Sequence, residues 1–393
     1  MPPYLAGRDT EIEEFKRLLR QNVILENLVL TGLRGVGKTV LMETLKPIAI
    51  QEGWLWIGTD LSEAASLSEA SIATRLLADL SIITSSLTIG SEPVREMGFS
   101  ARSGAVAMKL NYDNLNYFYD STPGLVADKL KAVLELVWGL LKEQDSRGVI
   151  FAYDEAQNLS DHARKEQLPL SLLLDVFQSI QRKNIPFMLV LTGLPTLFPK
   201  LVEARTFAER MFRVVFLHRL PPPACREAIL KPIEQQRCPV VFNDPSIQGI
   251  IEVSGGYPYF IQFICREVYD VFIQKSDSGD EPSVPINAIV RKLDSDFFSG
   301  RWARATDRQR DLLIVAADLP NSDGEFTVQD IVEKSGRLLP KAFSASHANQ
   351  MLTTLAEAGL VYKNRHGKYL FAVPLLGKFI LRQTRDFSAA DRP

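Results

Sequence analysis

Five short, nearly continuous apolar runs alternate with longer stretches of helical periodicity along the first part of the chain. The runs lie at residues 27–31, 54–59, 149–153, 186–192 and 213–217. A strand that is buried on both faces is apolar throughout, and alternation of such strands with helices is typical of a parallel sheet covered by helices. The pattern therefore predicts an α/β fold built on a five-stranded parallel sheet.

Helices are predicted between these runs, and one segment interrupts the alternation. A Thr-x-x-Glu capping box at Thr10 and Glu13 predicts the start of the first helix. Further helical patterns follow at residues 40–50 and 125–141. Residues 85–122 are rich in Ser, Gly, Asn and Tyr, so we expect them to form an insertion of hairpin or irregular structure.

The second part of the chain has a different organisation. Three consecutive prolines at 221–223 end the alternation, and helical patterns continue to about residue 274. A polar, proline-bearing linker follows at 276–285. Beyond it, helical patterns at 307–318, 328–334 and 346–358 precede two strands around 363–368, which is the order of a winged helix. We predict a core at 1–218, a helical lid at 219–298 and a winged helix at 299–393.

Composition narrows the class of protein. The 393 residues are 46% hydrophobic and 23% charged, which excludes a mainly disordered chain. A net charge of −2 gives no overall attraction to nucleic acid or membrane, although residues 301–393 carry 14 Lys and Arg against 10 Asp and Glu. Three cysteines without C-x-x-C spacing argue against disulfides and zinc. Without a signal-peptide pattern or a run of about 18 apolar residues, we expect a cytoplasmic protein that does not span a membrane.

One motif identifies candidate chemistry directly. Residues 32–39 read Gly-Leu-Arg-Gly-Val-Gly-Lys-Thr and lie between the first strand and the next helix. In such a phosphate loop the glycines let backbone N–H groups surround phosphates, the lysine reaches the β- and γ-phosphates, and the hydroxyl binds Mg²⁺. The residues predicted to bind ATP here are Gly32, Gly35, Val36, Gly37, Lys38, Thr39 and Val40.

A second motif ends the third apolar run. Asp154 and Glu155 follow residues 149–153, and an apolar strand of this kind places its terminal acids beside the phosphate loop. We predict that Thr39 and Asp154 hold Mg²⁺, the latter through water, and that Glu155 activates the attacking water.

With both motifs the chain resembles the AAA+ ATPases, a superfamily of P-loop NTPases. Within it, the chain is similar to the branch of origin-recognition initiators, transposition regulators and STAND-type ATPases. The run Tyr-Leu-Ala-Gly-Arg-Asp-Thr-Glu at 4–11 resembles a Gly-Arg-x-x-Glu box that borders adenine, which implies this role for Leu5, Gly7 and Arg8. The Asp-Glu-Ala-Gln-Asn run at 154–158 resembles the second acidic motif of secretion and transposition members.

The same resemblance implies two further catalytic positions. Thr192 ends the fourth strand where the family keeps a polar sensor near the γ-phosphate, and it acts with Lys38 and Glu155. Arg210, with Arg213 as the alternative, stands where members present an arginine finger to a neighbouring subunit. That role implies a homo-oligomer. A satisfied strand-end hydroxyl and a helix-end cation are the structural alternatives for Thr192 and for the arginines.

The lid departs from the initiators, which carry a second sensor arginine. This chain has Ser-Gly-Gly-Tyr-Pro at 254–258, and its nearest arginine is Arg266. A Gly-x-Pro turn resembles the STAND branch, where it closes over the nucleotide, and implies a contact from Pro258. An ordinary turn before a helix is the alternative. The departure favours a slow nucleotide switch over ATP-driven assembly.

Two readings of the biological output stay open. In the first, an ATP-hydrolysing switch acts on duplex DNA through its winged helix, with Asn349 and Gln350 reading bases and Lys363, Arg365 and Lys368 attracting phosphates. The third helix of the winged helix contains no Lys or Arg, however. In the second reading, the exchange of ADP for ATP controls contact with an effector protein.

Overall fold

The computed structural model describes residues 4–94, 104–238, 242–276, 284–320, 324–365 and 367–390. It divides into two compact units. The sheet unit comprises Asp9–Thr31 and Lys38–Phe216. The C-terminal unit comprises Met1–Arg8, Gly32–Gly37 and Leu217–Pro393. The phosphate loop is therefore divided along the chain, with its glycines in one unit and Lys38 and Thr39 in the other.

The five predicted strands form one parallel sheet in the sheet unit. They are β1 (Asn27–Thr31), β2 (Trp54–Ile57), β5 (Gly148–Tyr153), β6 (Phe187–Gly193) and β7 (Phe212–Phe216), in the spatial order β2-β5-β6-β1-β7. Every residue of β1, β5 and β6 is buried. The prediction of a covered parallel sheet is thus confirmed, with strand ends shifted by one or two residues.

Aromatic packing fixes the centre of this sheet. Phe151 of β5 contacts Phe187 of β6 and Phe177, with ring centroids 5.6 and 4.9 Å apart. All three side chains are fully buried. Burying such large rings contributes about 1.5–3 kcal/mol each, so these aromatic contacts hold β5 and β6 together.

Eight α-helices accompany the sheet. They are α1 (Asp9–Leu19), α2 (Lys38–Gln51), α3 (Glu69–Thr84), α4 (Tyr112–Ser121), α5 (Val126–Leu141), α6 (Pro169–Gln181), α7 (Leu197–Ala204) and α8 (Ala208–Met211) among the described residues. Short 3₁₀ turns lie at Glu63–Ser66, Lys142–Gln144, Ala156–Asn158 and Ala163–Lys165. The capping box at Thr10 and Glu13 was wrong, because α1 begins at Asp9 and Thr10 lies within its first turn.

The insertion is more regular than its composition indicated. Residues Thr88–Val94 (β3) and Gly104–Lys109 (β4) pair antiparallel, which confirms a hairpin, while residues 95–103 of the predicted insertion lie outside the described residues. Helix α4 was missed. Asn111 caps it by accepting a hydrogen bond from the Asn114 N–H at 3.0 Å, and Leu115 is buried beneath it. Tertiary burial outweighs the weak helix propensity of its Tyr and Asn residues.

The C-terminal unit combines helices with a small sheet. The helices are α9 (Pro222–Gln235), α10 (Asp244–Ser254), α11 (Pro258–Ser276), α12 (Ile286–Leu293), α13 (Gly300–Trp302), α14 (Asp307–Ala317), α15 (Val328–Leu338), α16 (Ala345–Glu357) and α17 (Leu376–Ala390), with a π-helical turn at Asp294–Ser299. Strands β8 (Phe326–Thr327), β9 (Val361–Arg365) and β10 (Lys368–Phe371) form an antiparallel sheet in the order β8-β10-β9.

From α14 onward the unit has the element order expected of a winged helix. Strand β8 and helix α17 were not predicted. Thr306 and Thr327 are the N-caps of α14 and α15. Each forms a reciprocal capping box that fixes the first residue of its helix. Phe298 stacks on Phe379 of α17 at 5.2 Å, so the last helix packs against the turn after α12. The predicted linker lies mostly at 277–283, outside the described residues. The domain boundaries at 218 and 298 stay predictions.

No helix within the described part of the chain is both long enough and apolar enough to cross a membrane.

Two glycines provide a matched test of the fold. Gly58 follows β2 with φ +122°, and a Cβ there would lie 1.9 Å from the Ala152 carbonyl oxygen of β5. Gly139 lies in α5 with no atom within 4 Å of such a Cβ. We expect Gly58→Ala to lower the free energy of unfolding by about 3 kcal/mol or more. Gly139→Ala should raise it by about 1 kcal/mol. Urea unfolding measures both, and similar stabilities for the two variants would contradict the packing described here.

Candidate nucleotide site

The phosphate loop has the backbone that glycine alone adopts without strain. Gly35 and Gly37 have φ values of +82° and +92°, in the left-handed region. Added Cβ atoms would lie 2.5 Å from the Leu217 carbonyl oxygen at Gly32 and 3.0 Å from Tyr259 Cβ at Gly35. The spacing of glycines in the sequence therefore corresponds to positions with an unusual backbone or with no room for a side chain.

Two loop carbonyls are bound by other residues of the C-terminal unit. The Arg8 guanidinium, 5% exposed, donates to the Val36 carbonyl at 2.9 Å and to the His218 carbonyl at 2.8 Å. The Tyr259 N–H donates to the Gly35 carbonyl at 3.1 Å. In a planar trans peptide the next N–H points opposite to the carbonyl. The N–H groups of Val36 and Gly37 therefore point away from these partners, as an anion-binding loop requires.

A cavity of about 860 Å³ opens beside Val36 within the C-terminal unit. Its size is within the range of small-molecule and cofactor sites. Most of the wall residues are apolar, and a few are polar or charged. They comprise Leu33, Val36, Leu217, His218, Arg219, Leu220, Pro221, Pro222, Ile251, Glu252, Gly255, Gly256, Tyr257, Leu375 and Lys378.

The residues predicted to border adenine do not line this cavity, although some contact its walls. Arg8 contacts two wall residues, as described above, and Gly7 packs on Ala224, whose Cβ would be 2.6 Å from an added Cβ. Leu5, Gly7, Arg8, Val40 and Pro258 are not among the described wall residues. Pro258 begins α11, and its Cγ lies 4.0 Å from where a Cβ of Gly37 would stand. Their role in binding nucleotide stays a prediction, and Arg8 has a structural one.

In the sheet unit, three predicted residues meet at one carboxylate. Asp154 follows β5 and is 3% exposed. Its Oδ2 accepts a hydrogen bond from the Thr39 hydroxyl at 2.5 Å, and its Oδ1 accepts one from the Thr192 hydroxyl. The carboxyl ends of parallel strands lie at one edge of a sheet, and β6 pairs with both β1 and β5. This explains why residues more than 100 positions apart converge.

A buried network supports the strand that precedes Asp154. The Tyr153 hydroxyl donates to Asp79 Oδ2 at 2.9 Å, and Arg75 forms a bidentate ion pair with the same carboxylate. Burial raises the pKa of Tyr153 well above its usual value, and the adjacent Asp79 raises it further. Tyr153 therefore stays protonated and remains a donor. The end of β5 is fixed by this bond as well as by the sheet.

Glu155 turns out of the sheet. Its φ of +51° is left-handed, its side chain is exposed, and its N–H donates to Asp154 Oδ1 at 2.8 Å. The Gln157 amide nitrogen donates a short hydrogen bond to Glu155 Oε2. Sequence reasoning assigned no role to Gln157, although a polar side chain two residues after the candidate base was visible in the motif.

The remaining predicted residues have separate positions. Lys38 begins α2 and is 9% exposed. Arg213 pairs with Glu14 of the same chain, with Nη2 and Oε2 2.9 Å apart, whereas Arg210 is exposed in α8. Both arginines are exposed, but Arg213 is engaged by Glu14, so Arg210 stays the predicted finger.

Comparisons with known proteins establish the fold. A family model described as "Domain of unknown function (DUF8462)" matches residues 295–380. No curated protein is similar in sequence to the chain. The Walker-type ATPase PABY2304 of Pyrococcus abyssi is 15% identical with a TM-score of 0.58 over 96% of both chains. The ADP form of Aeropyrum pernix ORC2 is 13% identical with a TM-score of 0.53, over 99% of this chain and 96% of that one.

A further form of the same Aeropyrum protein, with ADPNP and ADP, is 14% identical with a TM-score of 0.51 over 98% of this chain and 96% of that one. These similarities extend over nearly the whole chain. The protein therefore has the α/β fold of an AAA+ P-loop NTPase.

Arg8 gives a prediction for this site. Arg8→Ala removes two hydrogen bonds from a buried cation, each of which contributes about 1.5–3 kcal/mol. We expect the free energy of unfolding to fall by about 3 kcal/mol. Arg17→Ala is the control, because Arg17 is exposed and its pair with Glu14 at 3.5 Å should contribute under about 0.5 kcal/mol. Equal effects of the two substitutions in urea unfolding would show that Arg8 does not hold the loop.

Proposed function

We propose that the protein binds ATP with Mg²⁺ and hydrolyses it slowly, as a molecular switch. The observation that carries this proposal is the convergence of the Thr39 and Thr192 hydroxyls on Asp154 at the carboxyl ends of the strands. That edge is where open parallel sheets bind their ligands. One hydroxyl belongs to the phosphate-loop motif and the other to the predicted sensor position, so both motifs meet at this aspartate.

In this proposal, the loop and the cavity bind different parts of the nucleotide. The N–H groups of the loop and Lys38 bind the phosphates, and the apolar cavity beside Val36 receives the adenine. The fold similarity to a Walker-type ATPase and to an ORC2 protein solved with ADP supports a nucleotide in this architecture.

The oxygen atoms at Thr39 and Asp154 fit Mg²⁺, because this hard cation prefers oxygen ligands and retains several waters. Thr39 would bind it directly and Asp154 through water. Bound Mg²⁺ neutralises charge on the phosphates during their hydrolysis. Thr192 orients the Asp154 carboxylate by its hydrogen bond, and exposed Glu155 accepts a proton from the attacking water.

The proposed nucleotide switch is supported by the three chain segments that line the cavity together. Leu33 and Val36 of the loop, Tyr257 of the Gly-Gly-Tyr-Pro turn and Leu375 of the winged-helix region all line it. A ligand that fills the cavity would contact all three segments. Binding or release of the nucleotide would alter the free energy of their packing, so we infer that the bound nucleotide controls the surface of the winged-helix region.

For the target of that surface, the contacts in α16 favour an effector protein over duplex DNA. The Tyr369 hydroxyl donates to Asn349 Oδ1 at 3.1 Å. The side-chain oxygen of Asn349, a residue predicted to read bases, therefore already has a partner within the protein. Lys363 is exposed and available to phosphates, but α16 supplies no cation. Duplex DNA remains the second candidate on the strength of this wing residue. A homo-oligomer completed by Arg210 is part of either version.

Two substitutions separate binding from hydrolysis. With ATP at about 100 times its dissociation constant, the wild type should gain about 2.7 kcal/mol of stability. Lys38→Ala should lose this gain, because its cation on the phosphates is removed. Glu155→Gln should keep it while turnover falls by about 10²-fold or more. Thermal unfolding and phosphate release measure the two effects. An ATP-dependent gain in Lys38→Ala equal to that of the wild type would refute the site.

Salt dependence distinguishes the two targets. Phosphate contacts through Lys363 and its neighbours would make binding to duplex DNA fall steeply between about 50 and 200 mM salt, by about 10-fold or more even for a few contacts. We expect no measurable duplex binding at either salt concentration, with ADP or ATP, because α16 contributes no cation. Filter binding with labelled duplex is the measurement. Salt-sensitive binding that Lys363→Ala weakens would favour the DNA candidate.

A further inference from the structure

We propose that Gln157 is a positioning residue that fixes the carboxylate of Glu155 for water activation. This inference rests on the proposed ATP hydrolysis and adds a residue to it. The Gln157 amide nitrogen donates to Glu155 Oε2, and Glu155 is otherwise an exposed side chain on a left-handed turn. An exposed glutamate samples several rotamers, and fixing one carboxylate oxygen directs the other.

Gln157 is itself held at both ends. Its Oε1 accepts a hydrogen bond from the Leu194 N–H at 3.1 Å, and its backbone carbonyl accepts one from Lys200 Nζ at 2.7 Å. Lys200 is half-buried, and burial lowers its pKa. The amide that reaches Glu155 is therefore attached to the chain segment that follows β6, beyond its own short turn.

The end of β6 makes room for this side chain. A Cβ on Gly193 would lie 2.6 Å from Gln157 Oε1 and 2.8 Å from Leu197 Cδ2. A side chain at 193 would therefore displace the end of Gln157 or of Leu197. This explains the Thr-Gly-Leu order at the end of the strand without reference to turn geometry.

Asp154 and Glu155 are therefore both connected by hydrogen bonds to the end of β6, Asp154 directly and Glu155 through Gln157. The Thr192 hydroxyl bonds Asp154, and the Leu194 N–H bonds the Gln157 side chain that holds Glu155. A change at the sensor position would move the metal-binding acid and the water-activating acid together. We infer that Gln157 is the link from this strand end to Glu155.

The chemical nature of the residue allows a sharp test. Gln157→Glu keeps an acceptor for the Leu194 N–H but replaces the donor to Glu155 by a carboxylate oxygen. Gln157→Met is uncharged and similar in length, and it loses both side-chain bonds. Gln329→Glu is the matched control, because Gln329 Nε2 donates to Glu333 Oε1 at 3.0 Å on an exposed face of α15.

We expect both Gln157 variants to lower kcat by about 10-fold or more, since small misplacements of a catalytic group have large effects on rate. KM for ATP should change by less than about twofold. The ATP-dependent rise in melting temperature should not change. Gln329→Glu should match the wild type. An unchanged or increased kcat in both Gln157 variants overturns the inference, as does a loss confined to KM.

A double variant that combines Glu155→Asp with Gln157→Met completes the test. In Glu155→Asp the carboxylate no longer reaches the Gln157 amide, so adding Gln157→Met should change kcat by less than about twofold. A full multiplicative loss in that double variant overturns the positioning role, because it means that Gln157 acts through the fold. Absence of turnover in the wild type overturns the proposed function together with this inference. Normal turnover that requires Glu155 but is indifferent to Gln157 overturns this inference alone.

Discussion

The candidate site depends on the hydrogen bonds that the Asp154 carboxylate accepts. The carboxylate is buried at the end of β5 and accepts hydrogen bonds from two hydroxyls, Thr39 and Thr192, and from the Glu155 N–H. A buried carboxylate without donors would be costly, by several kcal/mol. Satisfying it therefore fixes the start of α2, the end of β6 and the turn to Glu155 at the same time. A single acid sets the relative positions of these three elements of the sheet unit.

Much of the sheet was predictable because its physics is local and repetitive. Strands such as β1 and β6 are buried along their whole length, so an unbroken apolar run marks them. The phosphate loop was equally visible, since its glycines serve backbone conformations that other residues avoid. Asp154 and Thr192 were placed correctly at strand ends, and parallel topology brings such ends to one edge.

Other features depend on contacts that leave no local trace. Helix α4 is held by the burial of Leu115 under a segment whose composition resembles a loop. The role of Arg8 in the structure requires carbonyls of Val36 and His218, and a sequence gives no sign of where backbone carbonyls point. The Gln157 bond to Glu155 depends on the left-handed turn between them. For Arg8 and Gln157 the deciding partner is backbone, or is set by backbone conformation, and for α4 it is a tertiary contact, so none of the three was visible in the pattern of side chains.

The contacts of Arg8 also set an order of events during synthesis of the chain. Arg8 and His218 are separated by 210 positions, and the Gly35 carbonyl is bound by the N–H of Tyr259. Chains are made at about 5–20 residues per second and fold as their domains emerge. The sheet can therefore form while the phosphate loop still lacks both of its outer partners. The loop acquires the second of these contacts only after residue 259 has left the ribosome, late in the synthesis of the chain.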